Sequence, residues 1–303
     1  MLVSVLMITY NHEDFIVQAI KGVLMQQTNF DVELIIGNDF STDNSDTIIN
    51  DFIAYTTHSK KIKYFFHESN LGIQNNFKFI QALANGKYMA ICEGDDFWTD
   101  PLKLQKQVDF LEANLEYSLC YTRFETLNQK TKELTPDFNQ KYFQNNEDSI
   151  DFDFEHFQKG WHIGNQTLVF RNSFFNLEVL KKFKYFRDVH VIAHLLKKGK
   201  GACLNFIGAT YRIHDGGIHS SVTEYKGLEL SYLCYKEIYL SNMRNQYLKR
   251  KYLKSSQNFI NVNIKDGYLF KAFRMSIQLF IINWSLIDLL KNLKRILTEA
   301  IKN

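Results

Sequence analysis

Over roughly the first 95 residues, short apolar runs alternate with amphipathic stretches, and few folds accommodate that order. Residues 2–8 are nearly all apolar, as expected of a strand covered on both faces. Phe15, Ile16, Ala19, Ile20, Val23 and Leu24 then recur at helical spacing across residues 14–25. Residues 32–36, 62–66 and 88–92 read as further strands, and 45–55 and 75–84 as helices. The turn Ser41, Thr42, Asp43, Asn44 can cap the second of these helices. This alternation predicts an α/β fold: a doubly wound, mostly parallel sheet flanked by helices. Such sheets bind ligands beyond the carboxyl ends of their strands. Three of those ends carry polar groups here: Thr9, Tyr10 and Asn11; Asp39; and Glu93, Asp95 and Asp96.

Composition removes several alternatives. With 303 residues and an apolar share of 45%, the chain can build a sizeable core. Its length suits roughly two domains. A formal charge of +3 is too small to indicate a nucleic-acid partner. Cys92, Cys120, Cys203 and Cys234 lie far apart without a CxxC pair, which excludes a disulfide framework and suits a reducing compartment. The N-terminal run has neither a basic leader nor a cleavage site, so it reads as a first strand rather than a signal peptide. No uninterrupted apolar run reaches about 18 residues, so no spanning helix is expected. There is no GxGxxG after the first strand and no GxxxxGK followed by Ser or Thr. Phosphate groups would have to be held some other way.

The acidic cluster offers one. Glu93, Asp95 and Asp96 crowd three carboxylates into four residues at a strand end, and such a group repels itself unless compensated. Mg²⁺ or Mn²⁺, bound by one or two carboxylates together with substrate phosphates, is a common compensation. A solvated acidic turn capping the next helix accounts for the cluster equally well.

Four segments break that tie: Val5-Leu6-Met7-Ile8-Thr9-Tyr10-Asn11; Glu33 through Asp43, centred on Gly37-Asn38-Asp39; Asn70-Leu71-Gly72; and Gly86-Lys87-Tyr88 through Glu93-Gly94-Asp95-Asp96-Phe97-Trp98. In this order and spacing they resemble glycosyltransferase family 2, which has the GT-A fold. Tyr211-Arg212-Ile213-His214-Asp215-Gly216-Gly217 is similar to a motif of one bacterial branch of that family. The likeness covers residues 1–220: a nucleotide-sugar half over about 1–100 and an acceptor half over about 101–220. Residues 221–303 are then a helical C-terminal extension.

The resemblance implies an inverting, metal-dependent transferase. It would move a sugar from a nucleotide-diphosphate sugar, most simply a UDP-sugar, to an acceptor hydroxyl. Thr9, Tyr10, Asn11 and Glu13 match the loop that touches the nucleoside, and Asp39 matches an acceptor for the base. The usual acid before Asp39 is replaced by Asn38. Asn70 falls in the third matching segment and joins the donor-binding set. Glu93 stands in the first position of the DxD signature, which faces the ribose, and Asp95 in the last. Asp95, Asp96 and His214 are the implied ligands of Mn²⁺ or Mg²⁺. Asp96 could instead be a cap or an ion-pair partner, and His214 could be structural. Arg212 could contact phosphate or form a surface ion pair.

Asp188 matches the aspartate that opens a helix and serves as catalytic base. It could also simply cap that helix, and His190 is an alternative base. Trp161, His162, Asn165 and Gln166 lie in a segment that would face the acceptor. Residues 130–153 are polar and aperiodic and read as a long loop. Residues 268–303 read as one amphipathic helix carrying six basic and two acidic side chains. Such a helix could lie on an anionic membrane surface, as a peripheral enzyme using a saccharide or lipid-linked saccharide acceptor would need. It could equally pack on protein. The setting implied is the cytoplasm or the inner face of the cell membrane, in surface polysaccharide or glycolipid assembly. Two other readings stand beside this one: a transferase-like subunit without catalysis, and a sugar-phosphate nucleotidyltransferase. The second would need a glycine-rich basic loop where Thr9 to Glu13 stand.

Overall fold

A computed structural model describes residues 3–143, 147–156, 164–217 and 222–302. Two compact units emerge. The larger comprises Met1–Asp153, Trp161–Lys182 and Arg187–Ser220; the smaller comprises Phe154–Gly160, Phe183–Phe186 and Ser221–Asn303.

The larger unit begins β1 (Val3–Thr9), α1 (Ile16–Leu24), β2 (Val32–Asn38), α2 (Ser45–Tyr55), β3 (Ile62–Phe66), α3 (Ile73–Ala82) and β4 (Tyr88–Ile91). This is the expected alternation, and β1 pairs in parallel with both β2 and β4. Next come β5 (Phe97–Trp98), α4 (Lys103–Ala113), β6 (Tyr117–Asn128), β7 (Leu134–Thr135), β8 (Ser149–Phe152) and β9 (Val169–Arg171). The unit ends with α5 (Leu177–Leu180), α6 (Asp188–Leu195) and β10 (Lys200–Ile213). The strands form one sheet in the order β3-β2-β1-β4-β9-β6-β10-β5, with β7 on β6 and β8 on β10. β9 runs antiparallel to both β4 and β6, so the sheet is mixed though mostly parallel. Val5, Met7, Ile20, Leu34, Ile36 and Ala90 form part of the core under α1 and α2. Each such Leu or Ile contributes about 1.5–3 kcal/mol on burial.

Residues 130–153 are not a structureless loop. They hold β7, a 3₁₀ turn at Phe138–Tyr142 and β8. Asp137 is buried and accepts from Arg123 Nε at 3.0 Å, while β8 pairs antiparallel with β10 and packs Phe152 edge-on against Tyr121. β7 and β8 are too short to display a period of two, which is why composition alone suggests a loop.

The smaller unit holds α7 (Glu224–Leu240), α8 (Gln246–Lys265), α9 (Leu269–Asn283) and α10 (Leu286–Lys302). Thr223 and Asn245 cap the first two. Tyr232, Tyr252, Phe259, Met275 and Leu279 belong to its own core. Phe183–Phe186 joins this unit because the Lys184 and Tyr185 amides donate to the Glu237 carboxylate at 3.1 Å each. Residues 268–303 form two helices rather than one. Trp284 takes the left-handed conformation (φ 54) and donates to Phe280 O, ending α9. That position normally selects Gly or Asn, so nothing at 284 signals a stop. Leu286, Leu290, Leu297 and Ile301 are exposed at helical spacing along α10, and Trp284 is exposed beside them. Among the described residues, no helix is long and apolar enough to cross a membrane.

Candidate active site

The loops after β1 and β2 are built from each other. Asn11 adopts φ 56, which Asn tolerates better than most residues. Its amide N–H donates to Ser41 Oγ at 2.9 Å, and its Oδ1 accepts from Thr42 N at 2.8 Å. The Glu13 carboxylate accepts from both nitrogens of Asn44, while its own amide donates to Asp43. Asp39 is buried and accepts from Leu71 N at 2.6 Å; Asn70 Nδ2 donates back to the Asp39 carbonyl at 3.1 Å.

Asn38 has a physical reason to be an amide. Its Nδ2 donates to Tyr64 Oη at 3.0 Å because Tyr64 spends its own proton on Asp46. Its Oδ1 accepts from Ser41 N at 3.0 Å. An aspartate could make only the second of these bonds.

Beyond β4 the chemistry changes. Gly94 N donates to Ile8 O, bringing the acidic turn against the end of β1. A Cβ at Gly94 would sit 2.8 Å from Thr9 Oγ1 and 2.9 Å from His12 Nδ1, so only glycine fits. Asp95 Oδ2 lies 3.3 Å from His214 Nε2 and 3.7 Å from His12 Nε2. Burial alone would raise the Asp95 pKa, but the His214 hydrogen bond and the nearby His12 outweigh it and hold the group below its ordinary value. For His12 burial wins, and its pKa is lowered despite Asp95.

Glu93 accepts from Asn165 Nδ2 at 3.2 Å. Burial, then the charges of Asp95 and Asp188, push its pKa up to about 8. Asp188 is therefore part of the same electrostatic cluster; it opens α6, where the helix N-terminus favours a carboxylate. Tyr211 also belongs here. Burial raises its pKa, followed by Asp96, Asp95, Glu93 and Asp188.

The structure thus gathers Thr9, Glu93, Asp95, Asp188, Asn165 and His214 with the polar loop from Tyr10 to Glu13. Asp96 shares the electrostatics of this cluster but is not among the groups that meet the imidazoles. That carboxyl is buried, accepts from Arg212 N at 2.7 Å, and is raised in pKa by burial and by Asp95 and Glu93. Asp95, not Asp96, faces the imidazoles. Arg212 is no surface cation: it donates to the Asp95 carbonyl and to Gln18, and packs over Phe97 and Phe15. His190 accepts from the Arg187 amide through Nδ1, and burial lowers its pKa to about 4. Its ring serves the start of α6. Gln166 is buried, and its carbonyl takes the Trp98 indole N–H at 2.7 Å. Trp161 and His162 lie outside the described residues.

Two members were not among the sequence candidates. His12 stands inside the Thr9–Glu13 loop, but every neighbour was assigned to the nucleoside. Nothing in the sequence ties it to the distant His214. Tyr211 precedes the Arg-x-His stretch on the last strand and had no signal of its own.

A family model described as Glycosyl transferase family 2 matches residues 4–183. The chain belongs to glycosyl transferase family 2. An uncharacterised protein of Mycobacterium bovis is 42% identical over 118 residues, covering 39% of this chain and 34% of that protein. An uncharacterised glycosyltransferase of Rickettsia conorii is 34% identical over 138 residues, covering 43% of this chain and 20% of the relative. The chain therefore spans only 34% and 20% of the length of these curated relatives. Among solved structures, S. aureus TarS 1–349 in complex with UDP-GlcNAc superposes with a TM-score of 0.64 at 14% identity, over 96% of this chain and 89% of the other. The mannosyltransferase PcManGT from Pyrobaculum calidifontis, in complex with GDP-Man and Mn²⁺, gives 0.59 at 13% identity, over 99% and 86%. The fold is GT-A, as the sequence led one to expect. In this family-2 chain, His12, Asp95 and His214 each offer a ligand-type atom within 4.8 Å of the others. Two imidazoles and a carboxylate form a donor set compatible with a divalent cation such as Mn²⁺.

Proposed function

We propose that the protein transfers a sugar from a nucleotide-diphosphate donor to an acceptor hydroxyl with inversion at the anomeric carbon. The observation that carries this reading is the electrostatic cluster of Glu93, Asp95 and Asp188, which joins the end of β4 to the start of α6. It supports reading Asp188 as the base beside a diphosphate site at Asp95. The donor complexes of the two structural neighbours support a nucleotide-sugar substrate, and a UDP-sugar is the first choice.

In this mechanism Tyr10 offers an exposed ring to the nucleobase, with Thr9, Asn11, Glu13, Asp39 and Asn70 shaping the nucleoside pocket. Glu93 orients the ribose. Asp188 takes the proton from the acceptor hydroxyl as its oxygen attacks the anomeric carbon from the side opposite the diphosphate. General-base help of this kind is worth about 10²- to 10⁴-fold. Asp95 and His214 would hold a divalent cation, which when bound offsets the negative charge growing on the leaving diphosphate. Asn165, Gln166 and Trp161 belong to the acceptor side.

The acceptor is a saccharide or lipid-linked saccharide of a bacterial surface polymer or glycolipid. The exposed apolar stripe of α10, with Lys291, Lys294 and Arg295 on the same helix, supports docking on an anionic membrane. Sedimentation with anionic vesicles tests that part alone. The reaction is tested by incubating the protein with UDP- and GDP-sugars and Mn²⁺, with and without candidate acceptors, and measuring nucleoside diphosphate release. Turnover by wild type that is lost in Asp188→Asn supports the mechanism. Nucleotide binding without turnover on any donor would favour a binding or assembly subunit.

A further inference from the structure

We propose that the groove between α8, α9 and α10 is a headgroup site for an anionic phospholipid, so that the smaller unit holds single lipids by their phosphate. The inference rests on reading α10 as membrane-facing, and goes beyond it by naming the group recognised and the residues that recognise it.

The groove encloses 480 Å³ and is walled by Leu253, Gln257 and Asn261 of α8, Leu279 of α9 and one edge of α10. Sites for small ligands span roughly 300–1,000 Å³, so a phosphoglycerol group has room here. Gln257 and buried Asn292 exchange amides across the α8–α10 seam, Nε2 to Oδ1 at 2.8 Å and Nδ2 to Oε1 at 3.1 Å. Asn261 Oδ1 accepts from Gln257 Nε2 at 3.0 Å and also from Arg295 Nη1. The oxygens of these three amides are therefore occupied by protein donors. What the groove still offers is donors: the remaining N–H groups of Arg295 and the exposed ammonium groups of Lys291 and Lys294. Asp288 is the one carboxylate among the lining residues, so three cations leave the groove positive. A phosphodiester brings acceptor oxygens and a negative charge to such a set, and Arg and Lys hold phosphate by charge-assisted hydrogen bonds. Asp288 can accept from a headgroup hydroxyl.

The same helix argues that the phosphate belongs to a lipid. Leu286, Leu290, Leu297 and Ile301 are exposed along one face of α10. Lys294 follows Leu290 by four positions and precedes Leu297 by three, so it borders the apolar stripe while lining the groove. A lysine stem can lie along apolar surface with its ammonium at the water boundary. A molecule with aliphatic chains and a phosphate at their edge fits both surfaces, whereas a free phosphate leaves the stripe in water. A zwitterionic headgroup brings a cation up to Arg295 and two lysines and is disfavoured.

The test is sedimentation of the full chain with vesicles of matched zeta potential. One set carries phosphatidylglycerol in phosphatidylcholine, a second carries a fatty acid in phosphatidylcholine, and phosphatidylcholine alone is the blank. Phosphatidylglycerol should bind about tenfold tighter than the fatty acid, the contribution of a hydrogen bond to a charged group. Arg295→Gln and Lys294→Gln should each remove that preference. Arg274→Gln takes away an exposed charge of α9 that does not line the groove, and should keep it. Plain attraction of cations to a charged surface moves affinity for both charged sets alike, so the ratio reads the groove. Lys294 is exposed, so its variant decides the matter if Arg295→Gln does not fold. Equal binding to the two charged sets would overturn the headgroup site and leave α10 as a simple membrane-facing helix. A preference kept in both groove variants, or seen only when a polyprenyl phosphate is added, would also overturn it, the latter by assigning the groove to the acceptor lipid. No binding to any vesicle would sink the docking reading together with this one, and nucleoside diphosphate release would still test the transferase apart from both.

Discussion

The loops after β1 and β2 and the cluster beyond β4 are equally polar, yet they spend their polarity in opposite ways. Asn11, Glu13 and Asp39 each pair with a neighbouring loop, and Asn38 with its own turn and Tyr64, so their hydrogen-bonding capacity goes into the shape of the pocket. Glu93 feels the charges of Asp95 and Asp188, and its pKa is driven up by burial and by those two. Such crowding costs stability and is found where a ligand will relieve it. The first region is a mould; the second is the part that meets charge.

The sharpest way to break this contrast is Asp188→Asn. Transfer should fall by about 10²- to 10⁴-fold with donor binding kept, read from kcat and KM separately. Unchanged kcat would remove Asp188 from the mechanism. Gly94→Ala comes next. Its Cβ would press on the Thr9 and His12 side chains, costing about 1–3 kcal/mol in denaturant unfolding together with loss of Mn²⁺ affinity. Normal stability and metal binding would mean that the close approach of the two loops is dispensable.

Asn38→Asp probes the mould. It restores the acid common in the family but loses the bond to Tyr64 Oη, so it should destabilise by about 1–3 kcal/mol and not tighten nucleotide binding. Tighter binding would show that the position reads the base directly.

The smallest effect lies away from the site. Lys103 is buried over the Trp98 ring, bonded to Gln107, and burial lowers its pKa from 10.5 to about 7. From pH 7 upward the unfolded chain holds a proton at Lys103 that the folded chain has lost, so this group's contribution to stability rises with pH. Cys120, pushed up to about 12, cancels the trend above pH 9. Between pH 7 and 9 the Lys103 contribution to the slope is at most about 1.4 kcal/mol per unit. Lys103→Met should flatten it; an identical slope in the variant would mean the lysine stays charged in the fold.

The alternation that sets β1 to β4 was legible because continuous apolar strands and amphipathic helices leave different periods in the sequence. The strand-end residues were legible from their position at the carboxyl edge. What stayed hidden was long-range. Asp96 could not be told from Asp95 until β10 supplied the Arg212 amide that occupies it. His12 and His214 are 202 positions apart, and only the fold brings them to one carboxylate. β8 was hidden because four residues on an edge show no alternation. The break at Trp284 was hidden because a tryptophan occupies a glycine's conformation.

Binding of UDP and GDP to wild type, Asp95→Asn and Asn11→Ala, with and without Mn²⁺, tests the division between mould and charge most directly. Calorimetry should show Mn²⁺-dependent binding of one nucleotide by wild type. That binding should be lost in folded Asp95→Asn and only weakened in Asn11→Ala. Asp95→Asn binding nucleotide as wild type does, with or without the ion, would contradict the account.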